Sequence, residues 1–517
     1  MSERYDVVVI GAGLGGLTAA GLLARAGRKV LVLERNDHAG GAASTYKLGD
    51  LVVEGSLHET ADPNDPNEPK HHILSRLGVL DAVQWVPTGS LYEVRGGPVG
   101  APFRLPDGFA AARAALGERF SLSRDKIDVV LGDMERIATG LGTLSRGREA
   151  FRNPREGFGA LRKLGPLLRD WRCSLAEVFE RAFGNDEAIK CALAANLAYY
   201  HDDPATLWWI FFAVAQGGYL ASGGRYVRGG SQQLSNSLAR VIEAAGGEIR
   251  LGRTATEIEL DGDGRPAAVA HRAGKGGDRE VVPTRAVAAN AAPAVLAKML
   301  PGSSRSRFLA AYAGQRLSIS LFAAVFGLSR PPREFGVRAY SNLLLPQWMT
   351  RLADYRRGGA LLGGEPEDAP APMLTVVDYS AIDSGLGGPP YPVSVVGVDR
   401  VGNWKGLDEA AYGAKRKRWL ERIARIIDEE FPGFAAGVVV SSMSTALSIN
   451  HYLNAPRGAI YGFAPLPPQK PIWRGVGRSP KTPVPGLYLA SSYAGSGGFT
   501  GAIMGGAAAA ERILAES

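Results

Sequence analysis

The chain has 517 residues, of which 45% are hydrophobic, and this suits a globular protein of two interleaved domains. Lysine and arginine number 59 against 51 acidic residues, and the net charge of +8 suits solubility, an acidic substrate or an anionic membrane surface. The sequence has neither a basic stripe with interleaved aromatic residues nor a known nucleic-acid module, so we exclude nucleic-acid binding.

The cysteine content and the hydropathy of the chain indicate the cellular compartment that we expect. Cys173 and Cys191 lie apart without metal-ligand spacing, which argues against a disulfide framework and a zinc site. The adjacent His71 and His72 would point apart on a regular element, so we assign no metal. A strand follows Met1 too soon for a signal peptide, and no apolar run reaches the roughly 18 to 20 residues of a spanning helix. We therefore expect a cytoplasmic protein, with any membrane contact peripheral and on the inner face.

The N-terminal segment has the order strand, glycine loop, helix, strand, acid. The run YDVVVI at residues 5–10 is typical of a buried parallel strand, and GAGLGG follows at once. Gly11 permits the tight turn, Gly13 lets the backbone approach a pyrophosphate, and Gly16 lets the helix pack on the strand. Glu34 ends the second strand, where it can accept hydrogen bonds from ribose hydroxyls. The nucleotide-binding residues predicted here are Gly11, Gly13, Gly15, Gly16 and Glu34.

A second glycine element distinguishes FAD from NAD. Gly40 and Gly41 follow the second strand in the segment ERNDHAGG. A glycine pair at this place lets the chain pass close to the pyrophosphate and ribityl portion of a flavin, and nicotinamide dehydrogenases do not usually carry it. We therefore predict FAD as the cofactor, with Gly40 and Gly41 among its contacts.

Four further blocks, in order, resemble the phytoene desaturase-like branch of the flavoprotein amine oxidase superfamily. This branch includes carotenoid desaturases, carotenoid isomerases and retinol saturase-like enzymes. The blocks are GGRYVRGGSQQLSNSLARVIEAAGGEIRLGRTATEI from Gly223, TRAVAANAAPAVLAKML from Thr284, HYLNAPRGAIYGF from His451 and PGLYLASSYAGSGGFTGAIMGGAAAAERIL from Pro485.

The resemblance implies several cofactor contacts. Ala255 would set its backbone against the adenine, and the region of Ser492 would approach the ribityl or pyrophosphate group. The last helix, through its first residues Gly501, Ala502 and Ile503, would direct amides and a positive dipole end at the flavin. Ala42 stands where many members of the branch have arginine, and Arg35 is the candidate to supply that missing cation.

The resemblance also implies the fold class. We expect a Rossmann-type α/β FAD-binding domain interleaved with an α+β substrate domain, as in the amine oxidase superfamily. The predicted FAD domain comprises residues 1–60, 223–300 and 480–517, and the predicted substrate or membrane-facing domain comprises residues 61–222 and 301–479.

Two segments of the substrate domain suggest a lipophilic ligand. The run LWWIFFAVAQGGYL from Leu207 is either core or the wall of an apolar tunnel. The stretch from Ser145 to Arg172 combines basic and apolar side chains, which suits either an interfacial helix on anionic lipid or a solvated surface helix.

Candidate catalytic residues follow from the turn after VVEG. His58 is the first candidate for proton transfer, Glu59 could orient it, and His451 lies in a block expected to approach the substrate cavity. Only one dinucleotide motif is present, so oxygen, a quinone or the substrate itself is the expected electron acceptor rather than NADPH.

These observations predict an FAD-dependent oxidoreductase that desaturates, saturates or isomerises a lipophilic, polyene or isoprenoid-like molecule by hydride transfer at flavin N5. The polar turn Ser56–Glu59 departs from the apolar turn of phytoene desaturases and weakens a carotenoid assignment. Two alternatives stay open: an amine oxidase acting on a more polar substrate, and a non-catalytic flavin-binding protein that docks on membranes.

Overall fold

The computed structural model describes residues 4–145, 159, 161–274, 276–472 and 478–516. Within these ranges, no helix combines the length and the apolar character needed to cross a bilayer.

The strands are short and spread along the whole chain. In chain order they are β1 Tyr5–Ile10, β2 Val30–Leu33, β3 Thr45–Leu48, β4 Leu51–Glu54, β5 Thr60–Ala61, β6 Trp85–Pro87, β7 Tyr92–Gly96, β8 Gly100–Leu105, β9 Gly224–Val227, β10 Glu248–Arg250, β11 Arg253–Leu260, β12 Pro266–Ala273, β13 Arg279–Ala289, β14 Ser320–Leu328, β15 Ser341–Leu345, β16 Leu374–Asp378, β17 Tyr391–Asp399, β18 Val438–Ser444 and β19 Leu487–Leu489.

Helices separate and cover these strands. They are α1 Leu14–Arg25, α2 Pro69–Leu77, α3 Phe109–Arg119, α4 Arg124–Ser145, α5 Gly165–Arg169, α6 Leu175–Phe183, α7 Glu187–Leu193, α8 Trp209–Ser222, α9 Gln232–Ala244, α10 Pro293–Met299, α11 Gly302–Ala310, α12 Glu409–Glu430, α13 Phe434–Gly437, α14 Ala446–Tyr452 and α15 Gly498–Glu516. Shorter 3₁₀ segments cover Gly97–Val99, Ser121–Ser123, Leu197–Tyr199, Pro332–Phe335, Leu352–Gly363, Tyr379–Ala381, Val401–Trp404 and Pro456–Gly458.

The first sheet carries the predicted nucleotide unit. Its parallel strands run in the order β10-β2-β1-β13-β19, and β13 continues into an antiparallel extension with β12 and β11. Val7 and Val9 pack on one face of the sheet, and Val8 and Ile10 pack on the other. The absence of polar alternation in β1 follows from this two-sided burial. The strand order reverses between β1 and β13, where α/β sheets bind their ligands.

Close helix packing completes this domain. The first helix α1 lies against the last helix α15, and a methyl group on Gly506 would fall 2.2 Å from the Gly15 carbonyl oxygen. A methyl group on Gly15 would fall 2.3 Å from the Ala490 carbonyl oxygen. Glycine at both positions therefore lets two helices and the end of β19 approach at backbone distance.

A second sheet, in the order β18-β14-β17-β16-β15-β7-β8, forms the other lobe. Strand β14 buries Phe322 and Phe326 in a core shared with Trp419 and Ile423 of α12. Strand β9, which precedes the middle return to the first sheet, pairs with β5 and β6 and so joins the lobes. The expected class is confirmed: a Rossmann-type α/β domain interleaved with an α+β domain. The boundaries at residues 60, 223, 300 and 480 stay predictions.

We predict that Gly506→Val destabilises the protein, because the new side chain meets the α1 backbone at its closest approach. Overpacking of this kind costs about 1–3 kcal/mol, so thermal unfolding should shift by about 1–3 °C to lower temperature. The matched control is Gly262→Val, in an exposed turn where an added methyl group would have nothing within 4 Å. Equal melting temperatures of the two variants would contradict the packing argument.

Candidate flavin and substrate site

One cavity of about 2010 Å³ runs between the two lobes. Its volume exceeds the roughly 300–1,000 Å³ of common ligand pockets. One end is built from the glycine loop after β1, and the other from the faces of α8 and α4. The space is therefore large enough for a dinucleotide together with a second molecule.

The glycine loop shapes the nucleotide end. Gly11 has a φ of +92°, which side-chain-bearing residues rarely adopt, and it turns the chain from β1 toward α1. Gly13 precedes α1 without a capping side chain, and the first turn of this helix contains no acidic residue. The first-turn amides are thus available to an anion such as a pyrophosphate. Gly11 and Gly13 both line the cavity.

Asn290, at the end of β13, holds this loop in place. Its Nδ2 donates to the Ala490 carbonyl oxygen at 2.7 Å, and its Oδ1 lies 2.4 Å from the position of a Cβ on Gly13. Asn290 belongs to the block TRAVAANAAPAVLAKML, in which the sequence alone assigned it no role. The structure shows that it joins β13, β19 and the glycine loop at the point where the strand order reverses.

The predicted glycine pair lies against the same loop. The Gly40 amide donates to the Ala12 carbonyl oxygen at 2.8 Å, and Gly40 forms a bridge with Gly13. A methyl group on Gly41 would lie 3.3 Å from the Gly13 Cα. Gly40 and Gly41 both line the cavity, so the two glycine segments form adjoining parts of one wall.

Glu34 is buried at the end of β2 and faces the cavity. Its Oε2 accepts from the Ala12 amide at 2.7 Å, and its Oε1 accepts from the Asn36 amide at 2.9 Å. These bonds fix the carboxylate and leave lone pairs on both oxygens for ribose hydroxyls. Arg35 lines the cavity beside it, and its guanidinium donates to the carbonyl oxygens of His451 and Tyr452.

The remaining predicted cofactor residues divide into two groups. Ala255, Ser492, Gly501 and Ala502 line the cavity. Gly15, Gly16 and Ile503 are buried and lie outside the cavity wall described here. Gly16 lies where a methyl group would be 2.0 Å from the Gly11 carbonyl oxygen, and Ile503 belongs to the core of the first domain. These three support the wall by packing, and their cofactor roles stay predictions.

The wall therefore fits an FAD molecule. Side-chain-free backbone, uncapped α1 amides and a fixed acidic side chain meet at the nucleotide end, and the first turn of α15 lines the cavity further along. Tyr493 adds a buried hydroxyl that has no hydrogen-bond partner among the described residues. Such a group at a cavity wall is one that a bound ligand can satisfy.

The other end of the cavity is an apolar chamber. Phe211, Val214, Ala215 and Gly218 of α8 line it, together with Leu141 of α4. The opposite side of α8 buries Trp209, Phe212 and Ala213 in the core of the second lobe. The segment LWWIFFAVAQGGYL is thus both core and chamber wall, because it forms a helix with two apolar faces.

His58 lies in the wall of this cavity, with 8% of its surface exposed. Its Nδ1 is 2.9 Å from the Tyr199 hydroxyl, and its carbonyl oxygen accepts from the Tyr340 hydroxyl. Burial lowers the pKa of His58 to about 4, so the ring is neutral at physiological pH.

Glu59 does not orient His58, contrary to the expectation from sequence. Its carboxyl group accepts a bond from Thr88 Oγ1 at 3.4 Å, and the histidine partner is Tyr199. The two adjacent side chains therefore bond to different elements of the fold. Burial raises the pKa of Glu59 well above its usual range, and the nearby Asp107 raises it further.

His451 occupies a different place from His58. It is exposed at the rim of the cavity, near the end of α14, where its carbonyl oxygen accepts from Arg35. Among the described residues, no hydrogen bond or ring contact joins it to His58 or Glu59. A catalytic role for any of these three residues stays a prediction.

Glu54 was missed as a site residue, although it lies in the quoted VVEG segment. Its Oε1 accepts from Ser231 Oγ at 2.6 Å and from the Leu57 amide at 3.2 Å. Its Oε2 accepts from the Ser231 amide at 2.8 Å and the Tyr226 hydroxyl at 3.0 Å. Burial raises the pKa of Glu54. This carboxyl group fixes the turn that carries His58 into the cavity.

No metal site emerges in the parts of the chain that are described, where no cluster of three or more His, Cys, Asp or Glu residues could hold an ion. Cys173 and Cys191 are both free thiols.

A glycine cradle for a dinucleotide, joined to an apolar chamber, defines a flavin-dependent oxidoreductase site. The sequence pattern of the flavin-containing amine oxidoreductases matches residues 14–514, and the chain belongs to this family. Its cofactor is FAD, and it is an FAD-dependent oxidoreductase.

Comparison with individual proteins agrees with this assignment. The chain is 26% identical to the all-trans-retinol 13,14-reductase of Macaca fascicularis, over 99% of this chain and 86% of the relative. It is 25% identical to the neurosporene-forming phytoene desaturase of Rhodobacter capsulatus, over 95% and 90%. A solved oxidoreductase from Methanosarcina mazei has the same fold, with a TM-score of 0.64, 18% identity, and coverage of 98% and 100%. The expected resemblance is confirmed.

We predict that Gly13→Val abolishes FAD binding, because its branched side chain would meet Asn290 and enter the space that the pyrophosphate needs. The purified variant should lose at least nine tenths of its yellow flavin while its circular dichroism stays native. Gly262→Val serves as the control and should keep full flavin content. Normal flavin stoichiometry in Gly13→Val would show that the phosphates lie elsewhere.

The lowered pKa of His58 predicts a pH-dependent loss of stability. The folded pKa of about 4 lies below the unfolded value of 6.5, so neutral histidine favours folding. This contribution is complete above pH 6.5 and is lost as the pH falls from 6.5 toward 4, for a total of about 3 kcal/mol. The free energy of unfolding, measured by urea titration at several pH values, should fall less steeply in His58→Gln than in the wild type. Parallel slopes would mean that His58 is accessible to water.

Proposed function

We propose that this enzyme oxidises or reduces a carbon–carbon bond of a lipophilic, polyene or isoprenoid-like molecule. The observation that carries the proposal is the continuity of one cavity from the glycine cradle to the apolar chamber. A ligand in the chamber would meet the flavin end directly and would be surrounded by apolar side chains. The relatives named above act, by their names, on retinol and phytoene, which supports this substrate class.

The protein positions the substrate, excludes water from the reacting bond and supplies a group that accepts a proton. FAD supplies the hydride acceptor or donor when bound. The chamber residues Phe211, Val214 and Ala215 exclude water from the reacting bond. With Nδ1 of neutral His58 donating to the Tyr199 hydroxyl, Nε2 is free to hold the proton that leaves during desaturation, and the same bond fixes the orientation of the ring. In the saturating direction the same proton returns to carbon.

The electron acceptor and the membrane contact belong to the proposal as well. A single dinucleotide motif supports oxygen, a quinone or the substrate as electron acceptor.

Leu161 and Leu168 are 45% and 60% exposed, which supports a peripheral membrane contact through the basic stretch that begins at Ser145. Half of that stretch, including Arg148, Arg152 and Arg155, lies outside the described residues. A peripheral position on the inner face of a membrane is consistent with the exposed leucines and with the basic stretch.

The test mixes the enzyme anaerobically with all-trans-retinol, phytoene in liposomes or putrescine, and follows the flavin spectrum. We expect retinol to reoxidise the photoreduced enzyme or phytoene to bleach the oxidised enzyme, with a matching change in the polyene. Putrescine should leave both flavin states unchanged. Bleaching by putrescine alone would favour the amine oxidase, and no change with any ligand would favour a non-catalytic flavoprotein.

A chamber variant tests the same assignment. Ala215→Trp should lower kcat/KM for the polyene at least tenfold, because the indole fills the space beside Phe211, while flavin content stays normal. The matched control is Ala410→Trp, which places the same side chain on the exposed start of α12. Undiminished turnover by Ala215→Trp would place the substrate outside the chamber.

A further inference from the structure

A buried ion pair lies beside the apolar chamber. Lys70 has no exposed surface, and its Nζ donates to Glu68 Oε1 at 2.6 Å. The same Nζ donates to Thr500 Oγ1 at 3.2 Å, and Thr500 Oγ1 is 3.4 Å from Glu68 Oε1. Glu68 directly precedes α2 and Thr500 lies in the first turn of α15, so the cluster ties the C-terminal helix to the start of the second lobe.

Only one oxygen of the Glu68 carboxylate takes part in this cluster. Among the described residues, no donor reaches Oε2. This oxygen lies 3.8 Å from the position of a Cβ on Gly218, and both Glu68 and Gly218 line the cavity. The ion pair therefore presents an acceptor at the wall, opposite a helix position that carries no side chain.

The free Oε2 acceptor at the chamber wall favours ligands that can donate a hydrogen bond to it. A desolvated carboxylate oxygen without a donor costs free energy, whereas a charge-assisted hydrogen bond to it is among the stronger ones. A pure hydrocarbon would bury Oε2 and give it no partner. A hydroxyl group would provide the missing donor without adding charge.

Lys70 decides between a neutral and a cationic ligand. Burial lowers the pKa of Lys70, whereas the carboxylates of Glu68, Asp62 and Asp65 act in the opposite direction. Because Lys70 already neutralises Glu68, a bound ammonium group would find no unpaired negative charge in this pair. The pair consequently favours a neutral donor over an amine.

We propose that Glu68 is a specificity-determining residue that accepts a hydrogen bond from a hydroxyl group of the substrate, which makes the substrate a polyene or isoprenoid alcohol. This inference rests on the function proposed above and narrows it. Lys70 and Thr500 are positioning residues, since they hold the carboxylate through Oε1 and leave Oε2 to the ligand.

The experiment compares four ligands with the same polyene chain: all-trans-retinol, its methyl ether, the corresponding hydrocarbon and the primary amine. Dissociation constants are measured with the FAD-loaded protein from the perturbation of the flavin spectrum. We expect the alcohol to bind at least tenfold more tightly than each of the other three.

One variant removes the Glu68 acceptor, and a second obstructs access to it. Glu68→Leu combined with Lys70→Met replaces the buried pair by apolar side chains and so avoids an unpaired charge. Gly218→Ala keeps the pair and places a methyl group in ordinary contact with Oε2, where it obstructs a donor. Both should reduce the alcohol preference to less than twofold. The control Glu135→Gln alters a half-exposed carboxylate at the rim that is paired with Arg113, and should leave the preference unchanged.

Equal binding of the alcohol and the methyl ether by the wild type would overturn the proposal, as would an undiminished preference in both variants. Tightest binding of the amine would also overturn it and would favour an amine substrate. If none of the four ligands perturbs the flavin, the lipophilic-substrate function fails together with this inference. If the four bind equally well, the function stands and only the role of Glu68 is lost.

Discussion

The structure depends on a close approach of backbones at the point where the strand order of the first sheet reverses. Gly13, Gly40 and the Asn290 side chain meet there, and Asn290 also bonds to the end of β19. Any larger side chain in the loop would separate β1 from β13 or fill the space beside the α1 amides. The same absence of side chains at Gly15 and Gly506 lets the last helix reach the first. One constraint thus closes the domain and leaves an anion-binding crevice.

Buried polar groups around the cavity are satisfied by three different means. Glu54 is surrounded by donors from Ser231, Tyr226 and Leu57 and serves as an anchor for the turn that follows β4. His58 is kept neutral by burial. Lys70 and Glu68 neutralise each other as an ion pair. A neutral base and a neutralised acceptor can share an apolar chamber because neither leaves a net charge there.

The sequence is most informative where the determining residues are neighbours in the chain. The glycine loop, Glu34 and the pair Gly40 and Gly41 lie within the first forty-one residues, and their spacing alone predicts a nucleotide cradle. Contacts between residues far apart in the chain leave no recognisable pattern in the sequence around either residue. Tyr199 is 141 residues from His58, and Thr500 is 430 residues from Lys70. The interpretation of Glu59 as the partner of His58 was wrong because His58 bonds to Tyr199 and Glu59 to Thr88, and neither partner is near them in the chain.

The composition of the segment from Leu207 does not distinguish a core segment from a tunnel wall, whereas the fold does. An apolar run can be core or tunnel wall, and the periodicity of a helix allows both. Trp209, Phe212 and Ala213 point to the core, while Phe211, Val214, Ala215 and Gly218 line the chamber. Gly218 then acquires a role that its position in a helix does not suggest, because it leaves room beside Glu68. Since α15 supplies Thr500 to the same cluster, the element that seals the nucleotide domain also helps to hold a polar group of the chamber wall. The two lobes are therefore joined by the hydrogen bonds of this cluster as well as by packing. A change at the C-terminal helix should consequently alter ligand binding in the chamber.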